Sequence, residues 1–243
     1  MVTLRAHPIA PLSAGLLIAS VLAVGGCDHG PGATSSQNSS ENSYTVAEPL
    51  TSLMIDNPVG STRIEGTDAA AVSVTETLHY TGDPPRTSHV VTGGQLTLTY
   101  ACPPGTVSDG TDACGVSYVV KMPRRLATRI DNKVGEATLT GLAGELNLTT
   151  STGDIDATGL TSRAVTARAS TGAITLAFAA APATVDAQTH VGSVTVRLPA
   201  DTAYAVDAGS QVGSAEVTVR QDSGSAHHIS ARSQVGSVTV TNS

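Results

Sequence analysis

A serine, a histidine and two aspartates in the C-terminal half of the chain could together carry out acyl transfer. His190 lies three residues before Ser193, and Asp186 and Asp207 lie in neighbouring repeats. A nucleophile, a base and an orienting acid act together only in a specific three-point geometry, which sequence spacing does not establish. Other turns of the chain place Lys, Thr or Gln where this one places His190. We therefore interpret His190 as a solvated turn residue and predict no catalytic residue.

Metal binding and glycan cleavage are also disfavoured by the residue types. His227 and His228 are adjacent, so in a strand they point to opposite sides and chelate poorly without further ligands. Asp154 and Asp156 lack the dense Gly-Gly-x-Gly-x-Asp repeats of calcium-binding solenoids. Glycan-cleaving enzymes need clustered carboxylates with aromatic platforms, whereas the chain has no Trp and one Phe. We predict no metal and no cofactor, and keep a glycan-active enzyme as a distant alternative.

The N-terminus has the organisation of an export signal. Arg5 precedes an apolar stretch, Ala14 to Val24, which at about 11 residues is too short to cross ~30 Å of hydrocarbon. Small residues then lead into Cys27. The run Val-Gly-Gly-Cys resembles the lipobox of bacterial lipoproteins, which implies a signal peptide at residues 1–26 and lipid on Cys27. The expected location is the extracytoplasmic side of the cell membrane, with the lipid as anchor. An ordinary secretory signal with an incidental Cys27 is the alternative.

Composition limits the partners and the kind of core. The formal net charge is −7, and removal of residues 1–26 takes away Arg5 and no acid, which leaves −8. An acidic chain without a basic cluster argues against nucleic acid as a partner. Hydrophobic residues make up 40% but aromatic residues only 2%. The core must therefore be built from Val, Ile, Leu and Ala, which suits thin, regular layers.

The two remaining cysteines are expected to form a disulfide. Cys102 and Cys114 would lie in an oxidising compartment after export. Closing a loop of about a dozen residues contributes on the order of 3 kcal/mol in the chain-entropy model. Two free thiols are the alternative.

The sequence pattern divides the chain into three parts, of which the signal peptide at residues 1–26 is the first. Residues 27–43 follow the signal as a lipidated cysteine and a tether rich in Gly, Ser, Asn and Thr, which is typical of a flexible linker. Residues 44–243 form one predicted domain. Within it, residues 66–125 are predicted to form an antiparallel flank or cap, and residues 126–243 contain regular repeats.

The repeats are marked by glycines at regular positions. From Gly135 onward, the successive spacings between these glycines are 18, 19, 20, 21 and 23 residues. Each is expected to supply a positive φ or room for the next layer, and the valines before them are expected to fill a corner. The repeat-turn glycines are Gly60, Gly135, Gly153, Gly172, Gly192, Gly213 and Gly236.

Apolar residues keep fixed positions around each glycine, seven and five before it and two and four after it. Each pair alternates with polar residues, which places both apolar side chains on one face of a short strand. The turn at the glycine is constant in length, while the other turn grows. The pattern predicts an all-β parallel β-solenoid, or β-helix, of about five to six two-strand coils, stacked to create a core. A β-sandwich with many short strands is the alternative.

The strand followed by Pro123-Arg124-Arg125-Leu126, and repeats such as Ser151 to Ile155 and Ser170 to Ile174, resemble the bacterial DUF4097 family, whose members are proposed to be adhesins. The resemblance covers residues 50–240. It implies a β-solenoid domain outside the cytoplasm, and it carries over no catalytic residues.

The leading functional hypothesis is a non-enzymatic lipoprotein that presents a rigid β surface to an envelope protein or glycan. Its binding residues are expected in the two longest turns, residues 197–205 and 220–228. A structural or self-associating envelope protein is the second hypothesis. In that case Val238-Thr239-Val240 at the C-terminus would be an open edge for another chain.

Overall fold

The computed structural model describes residues 37–104 and 114–243. Every named secondary-structure element within these residues is a β-strand. No helix among them is long and apolar enough to cross a membrane. The strands are β1 (Asn38–Val46), β2 (Ser52–Val59), β3 (Thr62–Thr67), β4 (Val72–Tyr80), β5 (Arg86–Thr92), β6 (Gln95–Ala101), β7 (Cys114–Pro123), β8 (Ala127–Val134), β9 (Ala137–Thr140), β10 (Leu146–Thr152), β11 (Ile155–Leu160), β12 (Ala164–Thr171), β13 (Ile174–Phe178), β14 (Thr184–Val191), β15 (Val194–Leu198), β16 (Ala205–Val212), β17 (Ala215–Val217), β18 (His228–Val235) and β19 (Val238–Asn242).

The strands form two sheets that enclose the core, and each coil contributes one strand to each sheet. Sheet A has the order β1-β4-β7-β3-β9-β11-β13-β15-β19-β17, and sheet B has the order β16-β18-β14-β12-β10-β8-β2-β6-β5. All pairs are parallel except β1 with β4, β4 with β7, and β5 with β6. The predicted all-β parallel solenoid is confirmed, and residues 126–243 supply six of its coils.

The register follows the apolar alternation of the sequence. In sheet B, Leu146 pairs with Val165, and Val165 pairs with Val185. In sheet A, Ile155 pairs with Ile174. These side chains point into the space between the sheets and are buried. Because each layer is thin, stacking of like residues removes apolar surface from water that a single coil could not bury.

Each repeat-turn glycine is required for two reasons at once. All seven have φ between 135° and 146°. A Cβ on any of them would also lie only 2.0–2.2 Å from a carbonyl oxygen of the adjacent coil. At Gly153, for example, that oxygen belongs to Gly135. The constant turn therefore excludes side chains both by backbone conformation and by the spacing of the coils.

The valines before these glycines do not fill a corner, contrary to the prediction. Val134, Val191, Val212 and Val235 are 46–63% exposed. Polar residues two positions earlier occupy the inner corner instead, because their hydroxyls can satisfy the carbonyl of the neighbouring turn glycine. The Thr189 hydroxyl donates to the Gly172 carbonyl at 3.0 Å. Equivalent bonds run from Ser233 to Gly192 at 2.8 Å and from Ser210 to Gly236 at 2.7 Å.

The order of coils in space differs from their order in sequence at both ends of the solenoid. The β2–β3 coil lies between the β6–β7 coil and the β8–β9 coil. At the other end, the β18–β19 coil lies between β14–β15 and β16–β17. The chain after β15 must therefore advance by two strand spacings, about 10 Å, and return by one after β17. This excursion requires the two longest variable turns.

The predicted open edge at the C-terminus is consequently wrong. Val238 pairs with Val194 on one side and with Ala215 on the other, so β19 is an interior strand of sheet A. The strands that lack a second neighbour at this end are β16 and β17.

The opposite end is closed by the antiparallel flank. Strand β1 pairs with β4 over nine residues, from Asn38 opposite Tyr80 to Val46 opposite Val72. The predicted tether boundary at Ser43 therefore lies inside a strand, because residues 38–43 are held by β4. Strands β6 and β7 belong to the flank and also pair in parallel with β2 and β3, so the predicted flank at 66–125 contains one coil. The predicted signal peptide and Cys27 lie outside the described residues.

Candidate binding site

The predicted pairing of the last two cysteines is confirmed. Cys102 and Cys114 form a disulfide, with their Cα atoms 6.1 Å apart. Cys102 follows β6 directly and Cys114 is the first residue of β7, so the bond ties sheet B to sheet A where the chain crosses between them. This disulfide has a structural role at the closed end.

A large concave surface lies on the outer face of sheet B, away from the core. We call it the outer trough. It consists of two adjacent concavities of about 610 and 500 Å³ over β12, β14, β18 and β16. The floor of the first is the cross-strand row Thr166, Asp186, Ser230 and Asp207. The floor of the second includes the next row, Arg168, Gln188, Arg232 and Gly209.

The two longest turns meet to form one wall of this trough. The Tyr204 N–H donates to the Arg220 carbonyl at 2.9 Å, and the Asp222 N–H donates to the Tyr204 carbonyl at 2.9 Å. The Ser225 hydroxyl donates to the Ala203 carbonyl at 2.8 Å. Tyr204, Gln221 and other residues of these turns line the larger concavity. The turns predicted to carry binding residues, 197–205 and 220–228, are thus brought together.

Tyr204 and His227 make this wall rigid. Tyr204 is fully buried, and its hydroxyl donates to the Pro199 carbonyl at 3.0 Å. His227 packs edge-on against it, with ring centroids 5.9 Å apart. The Nδ1 of His227 lies 2.6 Å from the Pro182 carbonyl oxygen, which can only accept, so Nδ1 carries a proton. His227 is therefore a structural residue, whereas its neighbour His228 is exposed and lines the trough.

Ion pairs separate the two concavities. Arg168 donates to Asp186 at 2.5 Å, and the Gln188 amide donates to the same carboxylate at 2.7 Å. Arg232 donates to Asp207 in the same way. These side chains are well exposed, so each pair adds little to stability. Their effect is to hold hydrogen-bonding groups at fixed positions across a flat sheet.

The serine, histidine and aspartates considered for acyl transfer do not assemble into a triad. His190 is exposed and lines the smaller concavity, but it lies in β14, next to the last residue of the strand, and not in the turn where we expected it. Asp186 and Asp207 are both bonded to arginine, so neither carboxylate orients the imidazole. No group of three His, Cys, Asp or Glu side chains in the described parts of the chain could hold a metal ion.

Sequence reasoning missed a buried polar cluster at the closed end. Glu76 is only 1% exposed and accepts a hydrogen bond from the Tyr44 hydroxyl at 2.8 Å. Tyr118 is opposite Glu76 on β7, and its buried hydroxyl has no partner among the described residues. Burial, followed by the nearby Glu76 carboxylate, raises the pKa of Tyr118. The sequence contains a signal for this buried residue, because Glu76 is in phase with Val74 and Leu78 on the apolar face of β4.

The fold resembles those of solved bacterial protein structures. A protein from Clostridium sporogenes ATCC 15579, proposed to be a cell adhesion protein, is 16% identical, with 85% of this chain and 100% of that chain covered and a TM-score of 0.48. A protein from Bacteroides fragilis NCTC 9343, proposed to be an adhesin, is 14% identical, with 84% and 97% covered and a TM-score of 0.51. At these identities only the fold is shared. Among curated proteins, none matches this chain.

A family model, described as Toastrack DUF4097, matches residues 129–242. The matched region begins in β8 and extends to the last residue of β19. It therefore includes every strand under the outer trough and both of the long turns that form its wall.

Proposed function

We propose that this chain, which matches the Toastrack DUF4097 family model over residues 129–242, is a lipoprotein that binds an envelope or surface partner in the outer trough. Lipid on Cys27 anchors it to the extracytoplasmic side of the cell membrane. The solenoid holds the trough in a fixed shape, and binding there involves no catalysis. The partner is an envelope protein or a glycan, and nucleic acid is not a partner.

The observation that carries this proposal is the meeting of the two longest turns over the outer face of sheet B. Their closure by backbone hydrogen bonds creates a wall beside a floor of Thr, Ser, Asp, Gln and Arg side chains. Such a floor offers hydrogen-bond donors and acceptors without an aromatic platform. The adhesin descriptions of two proteins with a similar fold are in keeping with a binding role.

A retention experiment with matched variants tests the site. Residues 28–243 are immobilised and exposed to solubilised envelope proteins and, separately, to cell-wall glycan fractions. Thr166→Trp fills the larger concavity from β12, and Thr175→Trp places the same bulk on the outer face of sheet A, from β13 of the same coil. We expect the first variant to lose at least tenfold in retention and the second to match the unsubstituted chain. Equal retention by both variants would show that the partner does not use the trough.

A self-associating protein is the second candidate. The observation that favours it is the pair of strands, β16 and β17, that lack a neighbour at one end of both sheets. This candidate function does not depend on the trough. It would use the free edges of β16 and β17 as the interface.

A further inference from the structure

No further coil of the described chain covers β16 and β17 at one end of the solenoid, where only residues 220–222 pair with Tyr204 beside the start of β16. Strand β16 has a neighbour only in β18, and β17 only in β19. The inward side chains of this last coil, Val206, Ala208 and Val217, are therefore only partly buried. The equivalent residues of an interior coil, such as Val185 and Ala187, are 3% and 0% exposed. The end thus presents unpaired backbone groups and apolar side chains together.

Strand β16 lacks most of the features that protect edge strands from pairing. Its sequence, Ala-Val-Asp-Ala-Gly-Ser-Gln-Val, has no proline and no lysine. Its one charged residue, Asp207, is neutralised by Arg232. At the closed end the flank covers the coils, and a stacked pair of rings, Tyr44 on Asn38–Val46 and His89 on Arg86–Thr92, joins the two edge strands with centroids 4.2 Å apart.

The occupant of the open end must offer two strand edges at the spacing of the two sheets. A single extended peptide could pair with β16 or with β17 but would leave the other sheet unpaired. The same open end of a second copy has two edges at the required separation. A two-fold axis would bring β16 against β16 and β17 against β17, as an isologous interface requires.

The backbone of β16 fixes the register of this pairing. The Ala205 N–H donates to the His227 carbonyl, next to the first residue of β18. Because the backbone groups of successive strand residues point to alternate sides, those of Val206, Ala208 and Ser210 point away from β18. These three residues are symmetric about Ala208. An antiparallel pair centred on Ala208 joins Val206 to Ser210 of the second copy, and it uses every free N–H and C=O of this set.

The charges of the outer face agree with the same register. Asp207 of one copy then lies opposite Gly209 of the other, and Arg232 of that copy is the next residue along the row. A Cβ on Gly209 would have no heavy atom within 4 Å, and its φ is not positive, so the local fold does not require glycine there. The missing side chain leaves a clear path between the carboxylate of Asp207 and the guanidinium of Arg232 across the interface.

We propose that two copies of this chain associate end to end through β16 and β17, with the β16 strands antiparallel and centred on Ala208. Because a two-fold interface uses the same end of both copies, association stops at a dimer and does not continue into a filament. In this dimer each sheet runs without a break from one copy into the other. The two outer troughs then lie on one continuous face.

A symmetric cross-link tests the register. Residues 28–243 contain one disulfide and no other cysteine. In the proposed pair, Ala208→Cys places two thiols directly opposite one another, at a Cα separation that a disulfide accepts. Ser88→Cys, on the exposed edge strand β5 of the closed end, is the control. We expect rapid covalent dimer formation on mild oxidation with the first variant only. Equal rates for the two variants would overturn the proposal.

A charge pair at one position tests the interface without disturbing the fold. Gly209→Glu would face Asp207 of the second copy, whereas Gly209→Lys would offer it an opposite charge. Sedimentation equilibrium should give a dimer for the unsubstituted chain and for the Lys variant, and a Kd at least tenfold higher for the Glu variant. Circular dichroism checks that both variants are folded. A purely monomeric unsubstituted chain at the highest attainable concentration, or equal Kd values for the two variants, would refute the dimer.

Discussion

The hydroxyl of Tyr100 makes both hydrogen bonds that a missing strand would make to Val59. It accepts the Val59 N–H at 2.7 Å and donates to the Val59 carbonyl at 2.8 Å. Strand β6 pairs with β2 only from Ser52 to Ile55, so the end of β2 has no strand on this side. One side chain thus satisfies the backbone where the stacking of coils stops.

Replacement of Tyr100 by Phe should therefore destabilise the protein. Tyr100→Phe removes both part-buried hydrogen bonds to Val59, at a cost of about 0.5–1.5 kcal/mol for each. Denaturant unfolding measures the loss. Tyr80→Phe, on the neighbouring flank strand β4, is the matched control and should change the free energy of unfolding by less than about 0.5 kcal/mol. Equal effects of the two substitutions would mean that the Val59 bonds contribute little.

Replacement of a repeat-turn glycine should be far more harmful than replacement of an open one. Gly153→Ala must accept a φ of 136° and a carbonyl oxygen 2.2 Å from the new Cβ. Strain and overpacking together should cost about 2–6 kcal/mol. Gly209→Ala meets no atom within 4 Å and should be neutral or slightly stabilising. Thermal unfolding of the two variants distinguishes these outcomes. A Gly153→Ala variant as stable as the Gly209→Ala variant would show that the repeat turn does not require glycine.

Removal of the disulfide should loosen the closed end. Cys102→Ser combined with Cys114→Ser reopens a loop with a sequence separation of 12 residues. The expected loss is about 3 kcal/mol in the chain-entropy model. Reduction of the unsubstituted chain should reproduce it in denaturant unfolding. If reduction lowers the stability of the double variant equally, the effect of the reductant is unrelated to this bond.

Stability should fall when the pH rises above the ordinary tyrosine range. Burial raises the pKa of Tyr44, Tyr100, Tyr118 and Tyr204 above the ordinary value of 10.0. The folded state then holds these protons more tightly than the unfolded state. The resulting stability is fully present below pH 10 and decreases as the pH rises towards the folded-state values. Denaturant midpoints measured on both sides of pH 10 test this.

Tyr118 offers a specific control for the alkaline effect. Its hydroxyl has no hydrogen-bond partner in the described part of the chain, so Tyr118→Phe removes a titrating group without breaking a bond. We expect this variant to be as stable as the unsubstituted chain at neutral pH and to lose less stability in alkali. An unchanged alkaline profile would assign the decrease to the other tyrosines.

The lipid anchor is tested by Cys27→Ala in the full chain. We expect the unsubstituted protein to partition with membranes and to carry a diacylglycerol mass on its first residue. The variant should lose both properties. If the variant still partitions with membranes but carries no diacylglycerol mass, the protein is attached in another way.

The sequence predicted the local geometry of the solenoid well because that geometry is short-range. Alternation around each glycine determines which side chains are buried, and the observed register from Leu146 through Val165 to Val185 follows it. The disulfide also follows from composition and compartment. Each of these inferences depends on a few neighbouring residues or on one pair.

The order of the coils could not be predicted in the same way. Spacing gives the length of a connection but not the coil that it reaches, and all coils offer nearly the same apolar edge. The spacing therefore predicts long turns at 197–205 and 220–228, but not that these turns carry the chain past one coil and back. Alternation identifies the apolar residues of β4, but it does not show that Glu76, the polar residue in phase with them, is buried.

The inserted position of the β18–β19 coil has a consequence for the route by which the protein folds. Strands β16 and β17 are synthesised before β18 and β19 but rest on them in the final structure. Regular growth by addition of each new coil to the previous one must therefore stop at β15. The β16–β17 coil gains its support only when β18 and β19 have formed. Folding of this end is thus a single event that requires β18 and β19 to be in place.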